Sequence, residues 1–191
     1  MKTPFHAILA GLAASSSLMA GTVVVTSLPD ETRPVDPLSS FDGSPLAAGD
    51  AEIRVGAFPG LSDDGLLDAA ASGGLAAITA AMVPFGGAHE MGAGAAGEPG
   101  RFAISSSASV PDAESPLGGE EICLLVRQGG EFLVARFPGQ TFAVDPDTGL
   151  EQVAALHIAD ARLAIGTRYG TAKLSTALPS SSGNQSIWFL N

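Results

Sequence analysis

Cysteine and aromatic residues are scarce in this chain. Its 191 residues include one cysteine and one tryptophan, and aromatic residues make up 6% of the total. A single cysteine excludes an intrachain disulfide, so the fold must depend on its hydrophobic core. Cys123 stands in the apolar run Ile122–Val126. That setting predicts a small buried side chain and not a nucleophile, which would need a neighbouring base.

Positively charged residues are also few in this chain. The chain has 9 lysines and arginines against 20 aspartates and glutamates, a formal net charge of −11. So acidic a chain lacks the clustered basic residues that bind phosphate backbones or anionic lipid surfaces. We therefore expect no nucleic-acid partner, and the charge favours solubility. Divalent cation binding would need acidic side chains gathered at one place.

Long hydrophobic runs are also missing. A short apolar run, Ile8–Ala14, follows Lys2 and leads to small residues ending at Ala20. This layout predicts a secretory signal peptide over residues 1–20, which is too short for a stable membrane span. We expect residues 21–191 to form a single β-rich domain without a membrane span. Its location would be the periplasm, the cell surface or the medium.

Short β-prone runs separated by turn residues dominate the remainder, with 24 glycines and 13 prolines in the chain. Thr22–Thr26, Ile53–Phe58 and Phe102–Ser105 predict strands because they are β-branched or alternate in polarity. Residues 155–166 fit either a strand or an alanine-rich helix, and the parity of the apolar positions favours a strand. Pro138-Gly139-Gln140 predicts a turn into a further strand.

The strongest hairpin pattern lies between residues 121 and 137. Glu121–Arg127 and Glu131–Phe137 are apolar runs joined through Gly129-Gly130, and glycine permits the positive φ of tight turns. Leu133, Ala135 and Phe137 would face one side, and the alternate residues the other. Because both faces are mostly apolar, we predict a central strand pair.

One helical region interrupts the strands, over residues 62–83. Ser62 is a good N-cap, Asp63 and Asp64 suit the positive end of the helix dipole, and Gly73-Gly74 predicts a break. We therefore predict a mainly β fold, an antiparallel sandwich or small barrel with a short two-helix insertion.

The best cation candidate is the segment Asp145-Pro146-Asp147-Thr148-Gly149-Leu150-Glu151. Asp145, Asp147 and Glu151 offer oxygen ligands for calcium, although the spacing departs from an EF-hand loop. The alternative is a simple turn, since aspartate, proline and glycine all favour turns. Apart from weak calcium binding here, we expect no cofactor.

Catalytic motifs are not evident. Gly92–Gly97 matches G-x-G-x-x-G, but no suitable strand and helix flank it, so we interpret it as coincidence. His89 lies in a glycine-rich stretch, and His157 in an apolar one, where a partly buried strand residue with a satisfied ring nitrogen is expected. A triad of His157, Asp160 and some serine remains an alternative that only the fold can assemble.

Several short segments carry a resemblance. They are Thr22–Val25, Asp42–Leu46, Arg54–Phe58, Leu61-Ser62-Asp63 and Leu156–Gly166. With the leader peptide, they resemble uncharacterised exported proteins of bacteria that use PEP-CTERM surface sorting. The resemblance implies a surface location and no catalytic residues. The Pro-Glu-Pro sorting motif itself is absent, so anchoring by that system is not expected.

These observations favour an exported, acidic structural or interaction protein without catalytic activity, with a protein or cell-surface partner. The alternative is an extracytoplasmic hydrolase or lyase whose site is assembled from loops. A deep pocket with converging histidine, serine and acidic side chains would favour the enzyme. A shallow surface with exposed apolar groups would favour binding.

Overall fold

The computed structural model describes residues 20–109, 115–143, 153–169, 171–173 and 175–176. The strands in these ranges are β1 (Ala20–Thr26), β2 (Glu52–Ala57), β3 (Val83–Pro84), β4 (His89–Glu90), β5 (Ala103–Ser109), β6 (Glu121–Gln128), β7 (Glu131–Thr141), β8 (Val153–His157), β9 (Arg162–Ile165), β10 (Thr167–Tyr169), β11 (Thr171–Lys173) and β12 (Ser175–Thr176). Helix α1 spans Asp63–Ala81, and a short 3-10 turn spans Ile158–Asp160.

The larger sheet is built around the predicted hairpin. Its strand order is β12-β7-β6-β2-β3, with β4 added to β2 and β9 added to β7. Strands β6 and β7 pair antiparallel, with Leu125 opposite Val134. The prediction of a central strand pair is confirmed, because side chains on both faces of β7 from Phe132 to Phe137 are buried.

The smaller sheet is mixed, so the predicted antiparallel arrangement holds for every described strand pair except β1–β8. Its order is β5-β1-β8; β1 runs antiparallel to β5 and parallel to β8. A parallel neighbour needs a long crossover, and most of the chain lies between β1 and β8, so the connection is available. The strand predicted over Thr22–Thr26 is confirmed as part of β1, and its Val23 and Val25 are buried in the core.

Helix α1 covers the face of the larger sheet opposite the smaller sheet. Ser62 caps it, since its hydroxyl oxygen accepts a hydrogen bond from the Gly65 N–H at 3.2 Å. Gly74 interrupts it with φ 58° and ψ −150°. The predicted break at Gly73-Gly74 is therefore confirmed, and the two predicted short helices are the two parts of α1 on either side of it. No helix in the described ranges has both the length and the apolarity to span a membrane.

Two apolar clusters hold together the smaller sheet, the larger sheet and helix α1. Between the sheets, Val25 and Ile104 pack with Val55, Leu124 and Leu133. Between the larger sheet and the helix lies a second cluster, which includes Leu66, Ile78, Cys123, Leu125, Phe132 and Val134. The described strands form open sheets and no closed barrel, so a sandwich with a helical layer is the architecture.

One predicted turn is wrong. Strand β7 continues through Pro138 and Gly139 to Thr141, which pairs with Glu121. The pairing shifts register between Glu121 and Cys123, and such a bulge accommodates a proline and the positive φ (74°) of Gly139 within a strand.

Some sequence predictions fall outside the described residues. They are the signal peptide up to residue 19 and the calcium candidates Asp145, Asp147 and Glu151. These stay predictions. Ala20, the last residue of the predicted signal peptide, is the first residue of β1.

Candidate functional site

A polar groove crosses the end of the larger sheet where β6 turns into β7. One part is a cleft of about 490 Å³, and its polar lining residues are Ser40, Asp42, Ser44, Asp50, Gln128 and Glu131. The other part is a cleft of about 410 Å³, and its polar lining residues are Asp50, Glu52, His89, Glu90, Arg127 and Gln128. Asp50 and Gln128 line both parts, so we describe them together as the groove.

A tight loop over residues 39–45 forms one wall of the groove. A β-bridge between Ser39 and Pro45 closes the loop, and the Ser40 N–H donates to the Ser44 carbonyl at 2.9 Å. The Asp42 carboxylate accepts from the Ser44 N–H at 2.8 Å and also from the Ser40 hydroxyl. Gly43 has φ 92°, a conformation that favours glycine in the turn formed by Asp42-Gly43-Ser44-Pro45.

Phe41 is the exposed feature of this loop. Its side chain is 55% exposed, and it is the one large hydrophobic residue so exposed among those the structure describes. Its backbone N–H donates to Glu131 Oε2 at 2.8 Å, which ties the loop to the start of β7. Phe41 is not itself a lining residue of either cleft, but it lies in the chain between the lining residues Ser40 and Asp42.

Strand register places a charged pair in the second part of the groove. Glu52 of β2 lies opposite Arg127 of β6. Arg127 Nη2 lies 2.8 Å from Glu52 Oε2, and Arg54 contacts the other carboxylate oxygen. The hydrogen bond from Arg127 is the main cause that lowers the pKa of Glu52, so this carboxylate is charged at neutral pH.

His89 touches a serine but does not form an accessible catalytic pair. Its Nε2 lies 2.9 Å from Ser106 Oγ, within hydrogen-bonding distance. Ser106 faces the interior from β5 and is 1% exposed, so a substrate has no access to its hydroxyl. The pair links β4 to β5.

His157 is held at both ring nitrogens. Nδ1 accepts from the Ala159 N–H at 3.0 Å, so Nε2 carries the proton and donates to the Leu28 carbonyl at 2.8 Å. The residue is 3% exposed, so it is more deeply buried than expected, and the prediction of a satisfied ring nitrogen is confirmed. Asp160 pairs instead with Arg33 at 3.3 Å, so the structure does not assemble the triad considered for these residues.

Cys123 lies fully buried under the helix, as predicted. Burial is the main cause that raises the pKa of its thiol to about 12, and the nearby Arg136 guanidinium only partly opposes the rise. A thiol of that pKa is protonated at neutral pH and is a poor nucleophile.

Sequence reasoning missed an ionic cluster beside Cys123. Arg136 is 7% exposed, with Nε 2.9 Å from Asp63 Oδ1 and Nη1 3.5 Å from Glu121 Oε2. Its Nη2 donates to the Leu61 carbonyl at 2.6 Å, and Arg162 contacts the second oxygen of Asp63. The sequence did contain one signal for this cluster. Arg136 stands on a face of the strand that was predicted to be buried, and a buried arginine requires charged or polar partners.

The glycine-rich segment Gly92–Gly97 lacks the helix that follows the glycines in a dinucleotide-binding motif. No helix follows Gly92–Gly97, and the segment turns back against β5. A Cβ on Gly94 would lie 2.0 Å from the Ala103 carbonyl oxygen, so the close approach of the two backbones requires glycine. Among the described residues, no three histidine, cysteine or acidic side chains are grouped to hold a metal ion.

Comparisons with protein-family models, with curated proteins and with solved structures found no match. The resemblance to exported proteins of PEP-CTERM-sorting bacteria therefore stays a prediction.

Proposed function

We propose that this chain is an exported, non-catalytic interaction protein and that the groove is its contact surface. The observation that carries the proposal is Phe41, a large apolar side chain exposed to solvent on the loop that forms one wall of a polar cleft. Burial of a phenylalanine contributes about 1.5–3 kcal/mol, and leaving it exposed forgoes that stabilisation. Docking of a partner on this loop would recover that contribution, and aromatic side chains are among those that contribute most at interfaces.

The rigidity of the groove supports the same proposal. The loop that carries Phe41 is closed by a β-bridge and tied to β7 through Glu131. The opposite wall is the β6–β7 turn, whose strands form the centre of the larger sheet. A surface that is ordered before binding loses less conformational entropy when a partner docks.

Export is the second part of the proposal, and it is supported by the leader-like residues 1–20. The test is mass spectrometry of the protein from fractionated producing cells. A mature N-terminus at Gly21 in the periplasmic, surface or secreted fraction would support export. Abundant cytosolic protein that retains Met1 would refute it.

Sedimentation of the mature protein with washed cell envelopes tests whether the groove binds a partner on the cell surface. We expect Phe41→Ala to weaken binding to envelopes about tenfold, the effect of losing 1.4 kcal/mol. Val24→Ala is the matched control, since Val24 is half-buried in the smaller sheet, outside the groove. Equal binding by both variants and the wild type would contradict a role for the groove.

A hydrolase remains the second candidate, because the His89–Ser106 contact brings a base and a hydroxyl within 2.9 Å. The serine would need to become accessible for this activity. A fluorophosphonate probe that labels accessible activated serines tests it, with Ser106→Ala as the control. Labelling of the wild type that disappears in Ser106→Ala would replace the binding proposal with an enzymatic one.

A further inference from the structure

We propose that the folded domain closes off its own processing site, so that the signal peptide must be removed before the smaller sheet is complete. This inference rests on the proposed export, in which residues 1–20 are the signal peptide and cleavage follows Ala20. Ala20 and Gly21 are the first two residues of β1, and they do not lie in a linker before the fold. The bond to be cleaved therefore lies within a paired strand.

Strand β1 is the central strand of the smaller sheet, so it is paired along both edges. On one edge, Gly21 lies opposite Ala108 of β5. On the other edge, pairing with β8 begins at Thr22, which lies opposite Val153. The Thr22 hydroxyl also lies 3.1 Å from the Ser107 hydroxyl. Proteases cleave segments that are exposed or transiently open, so β1 must open along both edges before the bond preceding Gly21 can enter an active site.

Hydrogen bonds just beyond β1 hold its other end in place. Ser27 is fully buried; its N–H donates to the Phe102 carbonyl at 2.9 Å, and its hydroxyl oxygen accepts from the Phe102 N–H at 2.8 Å. The Leu28 carbonyl accepts from His157 Nε2 at 2.8 Å. Strand β1 is therefore fastened to both neighbours at this end, and it opens by fraying from the end that carries the cleavage site. Fraying of the first residues costs little, but further opening uncovers Val23, which is 3% exposed in the fold.

The partners of β1 lie far along the chain, and this separation determines when the strand is locked in place. Val25 lies opposite Ile104 of β5 and opposite Leu156 of β8. A chain that crosses a membrane from its N-terminus delivers β8 late, and pairing between remote segments is slow because of the loop that it must close. The cleavage site therefore stays exposed during export and becomes covered when β1 joins β5 and β8. A signal peptide that is not removed in this interval remains attached to a folded domain.

The test compares three full-length precursors, each incubated with a purified bacterial signal peptidase in detergent micelles. The first is the folded wild type. The second is Leu124→Asp, which places a charge at a fully buried position of β6 to unfold the domain, and circular dichroism checks the unfolding. The third carries the insertion Gly-Ser-Gly-Ser between Ala20 and Gly21, which moves the cleavage site out of β1 and leaves the paired residues unchanged. Mass spectrometry identifies the cleaved bond.

We expect the wild type to be cleaved at least about a hundredfold more slowly than the other two precursors, because cleavage follows the small population in which β1 is open. Cleavage after Ala20 at equal rates in all three would overturn the inference and leave export standing. Slow cleavage of the folded insertion variant would also overturn it, since protection would then not come from the pairing of β1. Absence of cleavage after Ala20 in the unfolded precursor would refute the proposed export itself, and this inference with it.

Discussion

Replacement of Arg136 by methionine tests what attaches the helical layer to the sheet. The guanidinium is 7% exposed and joins Asp63, in the first turn of α1, to Glu121 on β6. It also satisfies the Leu61 carbonyl, which precedes the helix. Methionine keeps an unbranched apolar stem of similar reach but leaves two carboxylates and one carbonyl without this cation.

The expected loss of stability in Arg136→Met depends on how deeply the ion pairs are buried. Removing one partner of a buried ion pair typically costs about 3–5 kcal/mol. Here the side chains of Asp63 and Glu121 are 28% and 27% exposed, and Asp63 keeps its contact with Arg162. Water and the second arginine offset part of the loss, so we expect the free energy of unfolding to fall by about 2–3 kcal/mol.

Urea unfolding at pH 7 measures the change, with an unaltered m-value showing that the two-state comparison holds. Arg162→Met is the matched control, because it removes an arginine from the same aspartate but its side chain is 50% exposed. The control should lose less than about 1 kcal/mol. A loss below about 0.5 kcal/mol in Arg136→Met, or equal losses in the two variants, would refute the reasoning.

Three further predictions concern the cap, a close backbone approach and an ion pair. Ser62→Ala should lower the free energy of unfolding by about 0.5–2 kcal/mol in urea, since the Gly65 N–H loses its acceptor; an unchanged midpoint would contradict the cap. Gly94→Ala should lower the urea midpoint of unfolding clearly more than Gly97→Ala. A Cβ at Gly94 would lie 2.0 Å from a backbone oxygen, whereas a Cβ at Gly97 would have no atom within 4 Å. Glu52 has a lowered pKa when folded, so it stabilises the fold above its unfolded pKa and this contribution is lost as pH falls. Melting temperatures between pH 7 and 3 should therefore decline less steeply in Glu52→Gln, and parallel curves would argue against the pair.

Local patterns explain why much of the fold was predictable. The nearly continuous apolar run in Glu131–Phe137 predicts burial on both faces, which is typical of a strand in a sheet that is covered on both sides. Ser62 and Gly74 mark the start and the break of the helix through backbone chemistry that depends on few neighbours. The parallel pairing of β1 with β8 has no such local signature, because it joins segments far apart in the chain.

At Pro138, by contrast, the local sequence pattern led to a wrong prediction. Proline and glycine in succession favour a turn, but pairing with β6 carries β7 on to Thr141. The tertiary hydrogen bonds outweigh a local preference, and the register shift opposite Glu121 absorbs the irregularity. Such a bulge depends on the partner strand and cannot be read from one segment.

The groove was not predictable for a related reason. The contact between Phe41 and Glu131 spans 90 positions, and each residue alone looks ordinary in the sequence. Arg54, Arg127 and Arg136 are already engaged in ion pairs within the fold. The carboxylate of Glu131 is instead held by a backbone N–H, which fixes its direction without neutralising its charge. Direction and exposure at this site, more than the total negative charge of the chain, therefore determine what the groove can bind.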